Sequence, residues 1–164
     1  MKRSYALIAV LVMATCFPAK ADESDSGAPA TQEASPSKPG DQMPDETIYA
    51  GVSPGAGNPL YTTPDDVIGI RNWSESASYC TSLLAYGHQD WRMPTKDELS
   101  VLFNNSVENG GGIPGFNLTG IRPAGWYWSS TPFDGFNAWT QNFRTGRQHD
   151  YLDVYGEALR CVRG

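Results

Sequence analysis

The cysteines constrain the fold of this chain more than any other feature. Cys16 lies near the N-terminus, whereas Cys80 and Cys161 lie far apart in the C-terminal part. If Cys16 is removed with an export segment, the other two remain as an even pair, which in an exported domain most simply forms a disulfide. Two buried free thiols are the alternative. A metal site is disfavoured because only His88 and His149 could join the cysteines, and no ligand spacing is present.

The N-terminal 21 residues have the pattern of a signal peptide. Two basic residues precede the uncharged stretch 5–14, and Ala19-Lys20-Ala21 places small residues at the positions that a signal peptidase reads. The pattern predicts cleavage before Asp22 and export to the periplasm, the cell surface or the medium, where disulfides persist. A lipoprotein signal ending at Cys16 is the alternative, although Thr15 is larger than the residue usual at that place.

Composition divides the rest of the chain in two. Residues 22–46 hold seven acidic residues, one basic residue and no aromatic residue, which predicts a disordered Ser/Pro-rich linker. Residues 47–164 hold all five tryptophans and are predicted to form the globular domain. The net charge of −6 argues against binding to nucleic acid or to anionic membranes. Beyond the N-terminus no apolar run reaches the roughly 18 residues of a membrane span.

Two capping boxes predict two helices. Asn72 with Glu75 marks the start of a helix over 73–84, and Thr95 with Glu98 marks the start of a second one. In each box the first side chain accepts a hydrogen bond from the amide of the acidic residue three positions later, and that acidic side chain accepts one from the amide of the first residue. We therefore assign Thr95 and Glu98 a structural role.

After the helices the sequence predicts a loop and then strands. The glycine-rich segment 106–125 has no usable period and predicts a long irregular loop. Residues that are β-branched or aromatic, or that alternate between apolar and polar, predict four strands, at 126–130, 138–144, 148–155 and 158–162. On the last strand Arg160 and Arg163 alternate with Cys161, which indicates a solvated face.

Four ordered motifs carry a resemblance to a known family. They are Asp90-Trp91-Arg92-Met93-Pro94-Thr95 with Glu98-Leu99, then Trp126-Tyr127-Trp128-Ser129-Ser130, then Ala138-Trp139 with Phe143 and Gly146, and last Leu159-Arg160-Cys161-Val162-Arg163. In this order they resemble the bacterial Lcl C-terminal domain family, a domain of unknown function, over about residues 48–163. The resemblance implies an α+β, C-type-lectin-like fold with two helices, small antiparallel sheets and a long irregular loop region.

The same resemblance implies a ligand class. The namesake domains form the C-terminal part of collagen-like adhesins and bind sulfated glycosaminoglycans. This chain has no Gly-x-y collagen stretch, and its domain is acidic. We therefore expect weak binding to heparin-like polymers, since the affinity of a protein for a polyanion comes mainly from clustered basic residues.

No catalytic residue is predicted. His88 and His149 lack motif partners, and Ser129-Ser130 lacks the glycines of a nucleophile elbow. No cofactor is predicted, and no motif supports Ca²⁺, although calcium binding stays open. The sequence favours an exported non-catalytic binding module of the bacterial envelope or cell surface, which recognises a glycan or a surface or matrix protein. The alternative is a structural, self-associating envelope protein that forms a homo-oligomer.

The candidate ligand residues lie in two loops, 106–125 and 131–137, because ligands of this fold class usually meet the long-loop region. The candidates combine aromatic rings with amide and carboxylate groups: Phe116, Asn117, Phe133, Asp134, Phe136 and Asn137. Arg144, on the hairpin between the second and third strands, is a further candidate. The alternative is that Phe116 and Phe136 pack in the core beneath the loops.

Overall fold

The computed structural model describes residues 38–119 and 124–164, so the predicted signal peptide and residues 22–37 of the predicted linker lie outside the described residues. The described chain has the predicted α+β architecture, with two helices and two antiparallel sheets of three strands each. The elements are β1 Ile48–Val52, β2 Pro59–Thr62, α1 Trp73–Ser82, α2 Lys96–Asn104, a 3₁₀ turn Val107–Asn109, β3 Trp126–Pro132, β4 Asn137–Asn142, β5 Gln148–Leu152 and β6 Val162–Arg163.

Both helices start at their predicted capping boxes. The Asn72 side chain accepts a hydrogen bond from the Glu75 amide at 2.9 Å, and the Asn72 amide donates to the Glu75 carboxylate at 3.2 Å. Thr95 and Glu98 make the same reciprocal pair at 3.2 and 2.9 Å. Helix α1 ends at Ser82 because the next residue turns extended, so it is two residues shorter than predicted.

The strands form two sheets, in the orders β1-β2-β6 and β3-β4-β5. The segment before β6 joins them, because Ala158 exchanges backbone hydrogen bonds with Trp126 and Trp128 while Val162 pairs with Thr62. The predicted strand at 158–162 is therefore wrong in extent, and only Val162–Arg163 belongs to β6. The chain leaves one sheet and enters the other within four residues.

The end of the predicted linker is part of the domain. The amide of Gly40 donates to Tyr49 O at 2.8 Å, and the amide of Tyr49 donates to Asp41 O at 2.9 Å, so this segment covers the outer edge of β1. A Cβ on Gly40 would lie 2.3 Å from Gly112 Cα, which only glycine avoids. The expectation of disorder is wrong for residues 38–46, because backbone pairing with an open strand edge needs few apolar side chains.

A disulfide joins Cys80 on α1 to Cys161 just before β6, which confirms the predicted pairing. Both cysteines are fully buried in a core cluster that also contains Trp91, Trp128 and Leu159. The disulfide is consistent with an extracytoplasmic domain. Among the helices of the described residues, none has the length and apolar character to cross a membrane.

Candidate functional site

Arg160 lies in the interior, so the predicted solvated face is wrong for this residue. Its side chain is fully buried and forms an ion pair with Asp66 at 2.8 Å. The guanidinium also donates to Thr63 O at 2.7 Å and to Pro64 O at 2.9 Å, and it lies 4.4 Å from the centre of the Phe116 ring. A buried arginine needs such partners because an unpaired charge in the interior is costly.

Asp66 completes this cluster from the opposite side. Its second carboxylate oxygen accepts hydrogen bonds from the Asn117 amide at 2.9 Å and from the Tyr127 hydroxyl. Burial and the neighbouring Asp66 charge raise the pKa of Tyr127 above its ordinary range. We call Arg160, Asp66 and Tyr127 the interior charge cluster. It fixes the chain after β2 and the chain around Asn117 against the core.

A second ion pair, between the half-buried Arg92 and the buried Glu98, lies at the start of α2. Arg92 contacts both oxygens of Glu98, at 2.7 and 2.8 Å, and Ser53 Oγ donates to the same carboxylate at 2.5 Å. Burial alone would raise the pKa of Glu98, but the hydrogen bonds from Arg92, Ser53 and Thr95 lower it to about 2. The structural role predicted for Thr95 and Glu98 is confirmed by these contacts.

The predicted ligand residue Phe116 packs in the core. Its ring is 7% exposed and lies 4.3 Å from the Phe143 ring and 5.5 Å from the Tyr127 ring, measured between centroids. The core alternative therefore describes this residue. The neighbouring Asn117 is exposed, but its backbone amide donates hydrogen bonds to the Asp66 carboxylate and to the Tyr127 hydroxyl oxygen.

The other loop candidates form the turn between β3 and β4. The Asp134 carboxylate accepts from the amides of Phe136 and Asn137, both at 2.8 Å, and from the Asn137 side chain at 2.9 Å. The backbone hydrogen bond from Phe136, followed by that from the Asn137 side chain, lowers the pKa of Asp134. These polar groups therefore shape the turn itself. Phe133 and Phe136 project from it, 50% and 75% exposed, respectively.

The two groups of predicted residues lie at opposite ends of β3. Asn117 O accepts from Gly125 just before β3 at 2.7 Å, and Gly125 also packs against the Arg144 side chain. The turn that carries Phe133 and Phe136 follows the other end of the strand. Seven strand residues span about 20 Å, so the structure does not bring the candidates together in one surface.

A groove between α1 and the chain that follows β2 was not predicted from the sequence. Its volume is about 290 Å³, and its lining includes Thr63, Asp65, Arg71, Tyr79 and Tyr86. We call it the α1 groove. The one sequence feature that marks it is Tyr86-Gly87 directly after a helix, where a turn is expected.

Comparison with protein families is decisive about ancestry. The family model of the Lcl C-terminal domain matches residues 46–163. The chain belongs to the Lcl C-terminal domain family. The match starts one residue before the predicted domain. It ends at the last residue of β6, so it includes every strand from β1 to β6. No curated protein matches the chain.

In this Lcl C-terminal domain a histidine ties the N-terminal segment to the turn after α1. His88 Nε2 lies 2.6 Å from Asp45 Oδ2, and Asp45 also accepts from the Thr47 amide and hydroxyl. Burial raises the pKa of Asp45, but the hydrogen bonds from His88 and Thr47 outweigh it and lower the pKa. The part of the domain that the structure describes contains no group of three His, Cys, Asp or Glu side chains placed to hold a metal ion.

Proposed function

We propose that this Lcl C-terminal domain is an exported, non-catalytic binding module of the bacterial envelope or cell surface that recognises a glycan or a protein. The observation that carries the proposal is a set of exposed apolar side chains on two adjacent segments, the β3–β4 turn and the end of β5, which Asp153 N and Phe136 O join. They are Phe133, Phe136, Leu152 and Val154, which are 50%, 75%, 41% and 72% exposed. We call these four residues the turn surface. Clustered exposed apolar groups are typical of interaction sites.

The turn surface is held in one shape before any ligand arrives. Asp134 bonds to three donors within the turn, and Asp153 N donates to Phe136 O at 3.0 Å, which links the turn to the end of β5. Phe133 also packs edge-on against Trp139, with 5.2 Å between ring centroids. A preorganised surface loses little conformational entropy on binding, which favours recognition.

The pairing of the buried and half-buried charged groups favours a binding role over catalysis. Arg92 is paired with Glu98, and Arg160 is paired with Asp66. A Glu98 pKa of about 2 makes this carboxylate a poor general base or acid near neutral pH. The disulfide and the family membership support the proposed export.

Self-association is the second candidate, and the position of β5 favours it. Among the strands that the structure describes, β5 is the last one of its sheet and has β4 on one side only. However, a twofold antiparallel pairing centred on Asp150 would bring two carboxylates opposite each other, which destabilises a sheet. We therefore place recognition first.

Printed arrays of glycans and of matrix proteins, probed with the full chain with and without EDTA, test the proposal. Phe136→Ala should abolish binding to any array member that the wild type binds, whereas Val107→Ala should not. Val107 is a matched control because it is 53% exposed and lies in the 3₁₀ turn rather than on the turn surface. Equal signals from all three proteins would contradict the proposal. An oligomer in gel filtration that Asp150→Ala strengthens would favour self-association.

A further inference from the structure

The α1 groove combines a cationic side chain, aromatic rings and an exposed carboxylate. Arg71 and Tyr79 line it from the α1 side, Thr63 and Asp65 line it from the chain after β2, and Tyr86 lies at the turn beyond α1. Its volume of about 290 Å³ is near the lower end of the range for small-molecule sites. The groove therefore accommodates a small ligand.

Arg71 differs from the other half-buried or buried arginines. Arg92, Arg160 and Arg163 each pair with a carboxylate, whereas Arg71 has no acidic partner among the described residues. Its guanidinium stacks on the Tyr79 ring at 4.4 Å, and one nitrogen donates to Ile68 O at 2.9 Å. These contacts fix the plane of the guanidinium and leave the other N–H donors for a ligand. A planar guanidinium held in this way suits a carboxylate.

Tyr86 has a backbone conformation that side chains rarely adopt. Its φ is +57°, the following Gly87 has φ +75°, and Ala85 and His88 close the turn with two backbone hydrogen bonds. Glycine or asparagine is usual at such a position. Strain of this kind is concentrated at functional sites, because it is retained where a particular side chain is needed. Here the retained side chain is a phenol ring that lines the groove and rests edge-on against Trp91.

Asp65 limits the charge of the ligand. It is exposed at the groove, and its carboxylate accepts hydrogen bonds from hydroxyl groups but repels a second negative group. Asp66 also lines the groove, but its carboxylate is paired with Arg160 and bonded to the Tyr127 hydroxyl.

We propose that the α1 groove binds a single carboxylated sugar residue. The sugar carboxylate pairs with Arg71, its ring lies against the Tyr86 phenol, and its hydroxyl groups donate to Asp65. Tyr79 acts as a positioning residue, since it holds the Arg71 guanidinium. The site goes beyond the proposed function and does not depend on the turn surface.

Titration of the full chain with pairs of sugars, followed by nuclear magnetic resonance, tests the proposal. The pairs are galacturonate with galactose and glucuronate with glucose, because each pair differs only in the carboxylate. We expect at least one uronate to shift the groove resonances, and its neutral partner to bind at least about tenfold more weakly. Arg71→Gln should weaken the uronate at least about tenfold, whereas Arg147→Gln, on the β4–β5 turn, should leave its affinity unchanged.

Two further variants separate binding from folding. Tyr86→Gly removes the ring and suits a positive φ, so it should keep the thermal midpoint and lose uronate binding. If Arg71→Gln lowers the midpoint, Arg71→Lys retains the charge without the planar fork and should still bind the uronate more weakly than wild type. Uronate binding that survives Tyr86→Gly, or that Arg71→Lys leaves at wild-type strength, would overturn the proposal.

Two outcomes with other probes would also overturn it. One is binding of neither uronate. The other is binding of acetyl-alanyl-alanine but not of its C-terminal amide or of the uronates, which would make the groove a peptide-carboxylate site. Neither outcome affects the array test, because that test depends on Phe136.

Discussion

The two ends of β3 have opposite chemistry. At its start, charged and aromatic side chains are buried, and Arg160, Asp66 and Tyr127 satisfy one another. At its end, the polar groups of the turn also bond to each other, but the aromatic rings of Phe133 and Phe136 face solvent. The polar groups named here are therefore bonded at both ends, but charges and rings are buried at the start of β3, whereas the rings are exposed at its end. The comparison indicates that one end serves stability and the other is available for contact.

The largest effect is expected from breaking the interior charge cluster. Arg160→Met leaves Asp66 mostly buried without its cation, and the free energy of unfolding should fall by about 3–5 kcal/mol. Urea denaturation measures the change. Arg163→Met is the control, because Arg163 pairs with the exposed Asp90 and its loss should cost at most about 1 kcal/mol. Equal losses in the two variants would remove the distinction between interior and surface charge.

The disulfide is expected to contribute the next largest effect. Replacement of Cys80 and Cys161 by serine removes the constraint on the unfolded chain and should lower the free energy of unfolding by about 2–4 kcal/mol. Calorimetry under non-reducing conditions measures it. Wild type in reducing agent should approach the stability of the double variant, and a reduced wild type with unchanged stability would argue against this contribution.

A smaller effect should appear as the pH falls. The pKa of Glu98 is about 2 in the folded chain, below its ordinary value of 4.5, so its ionised form favours folding. The contribution is complete above pH 4.5 and is lost as the pH falls toward 2. Urea midpoints across this range should decline more steeply in wild type than in Glu98→Gln, which cannot ionise. Parallel declines would show that other groups dominate acid unfolding.

The smallest effect is expected from truncating an exposed ring at the end of β3. Phe136→Ala at the exposed turn should change the free energy of unfolding by less than about 0.5 kcal/mol. The same change at Phe143, which is 1% exposed, should cost about 3–5 kcal/mol because it opens a cavity. Thermal denaturation of the two variants compares them. A cost of several kcal/mol at Phe136 would place its ring in the core and remove the basis of the proposed function.

Local signals in the sequence predicted much of the fold. The boxes at Asn72 and Thr95 act within one helical turn, so they depend on no distant residue, and both helix starts are confirmed. The cysteine pair followed from assigning Cys16 to the export segment, which leaves two cysteines in an exported domain. Strands β1 and β2 were missed because they are short and β1 is interrupted by an irregularity near Gly51. The C-type-lectin-like relationship and the expectation of weak heparin binding remain predictions.

The candidate site was harder to predict because burial depends on distant partners. The alternation of Arg160 and Arg163 with Cys161 predicts that Arg160 is exposed. Only the fold brings Asp66, almost a hundred residues away in sequence, to its guanidinium. Phe116 and Phe133 are the same residue type and both lie in predicted loops. Phe116 nevertheless packs against Phe143, whereas Phe133 projects from a turn. The groove residue Arg71 stands out only once the fold shows that no described carboxylate forms an ion pair with it, unlike Arg92, Arg160 and Arg163.

The covalent loop between Cys80 and Cys161 has a mechanical consequence. A force applied to the chain on either side of this loop passes through the sulfur–sulfur bond and does not load the residues between the two cysteines. The sequence separation is 81 residues, so about 270 Å of contour length stays protected from extension. The turn surface and Tyr86 lie within that loop, whereas most of the α1 groove lining, including Arg71, precedes it. A load on the flanking chain would therefore first unravel β1 and β2 while the turn surface keeps its shape.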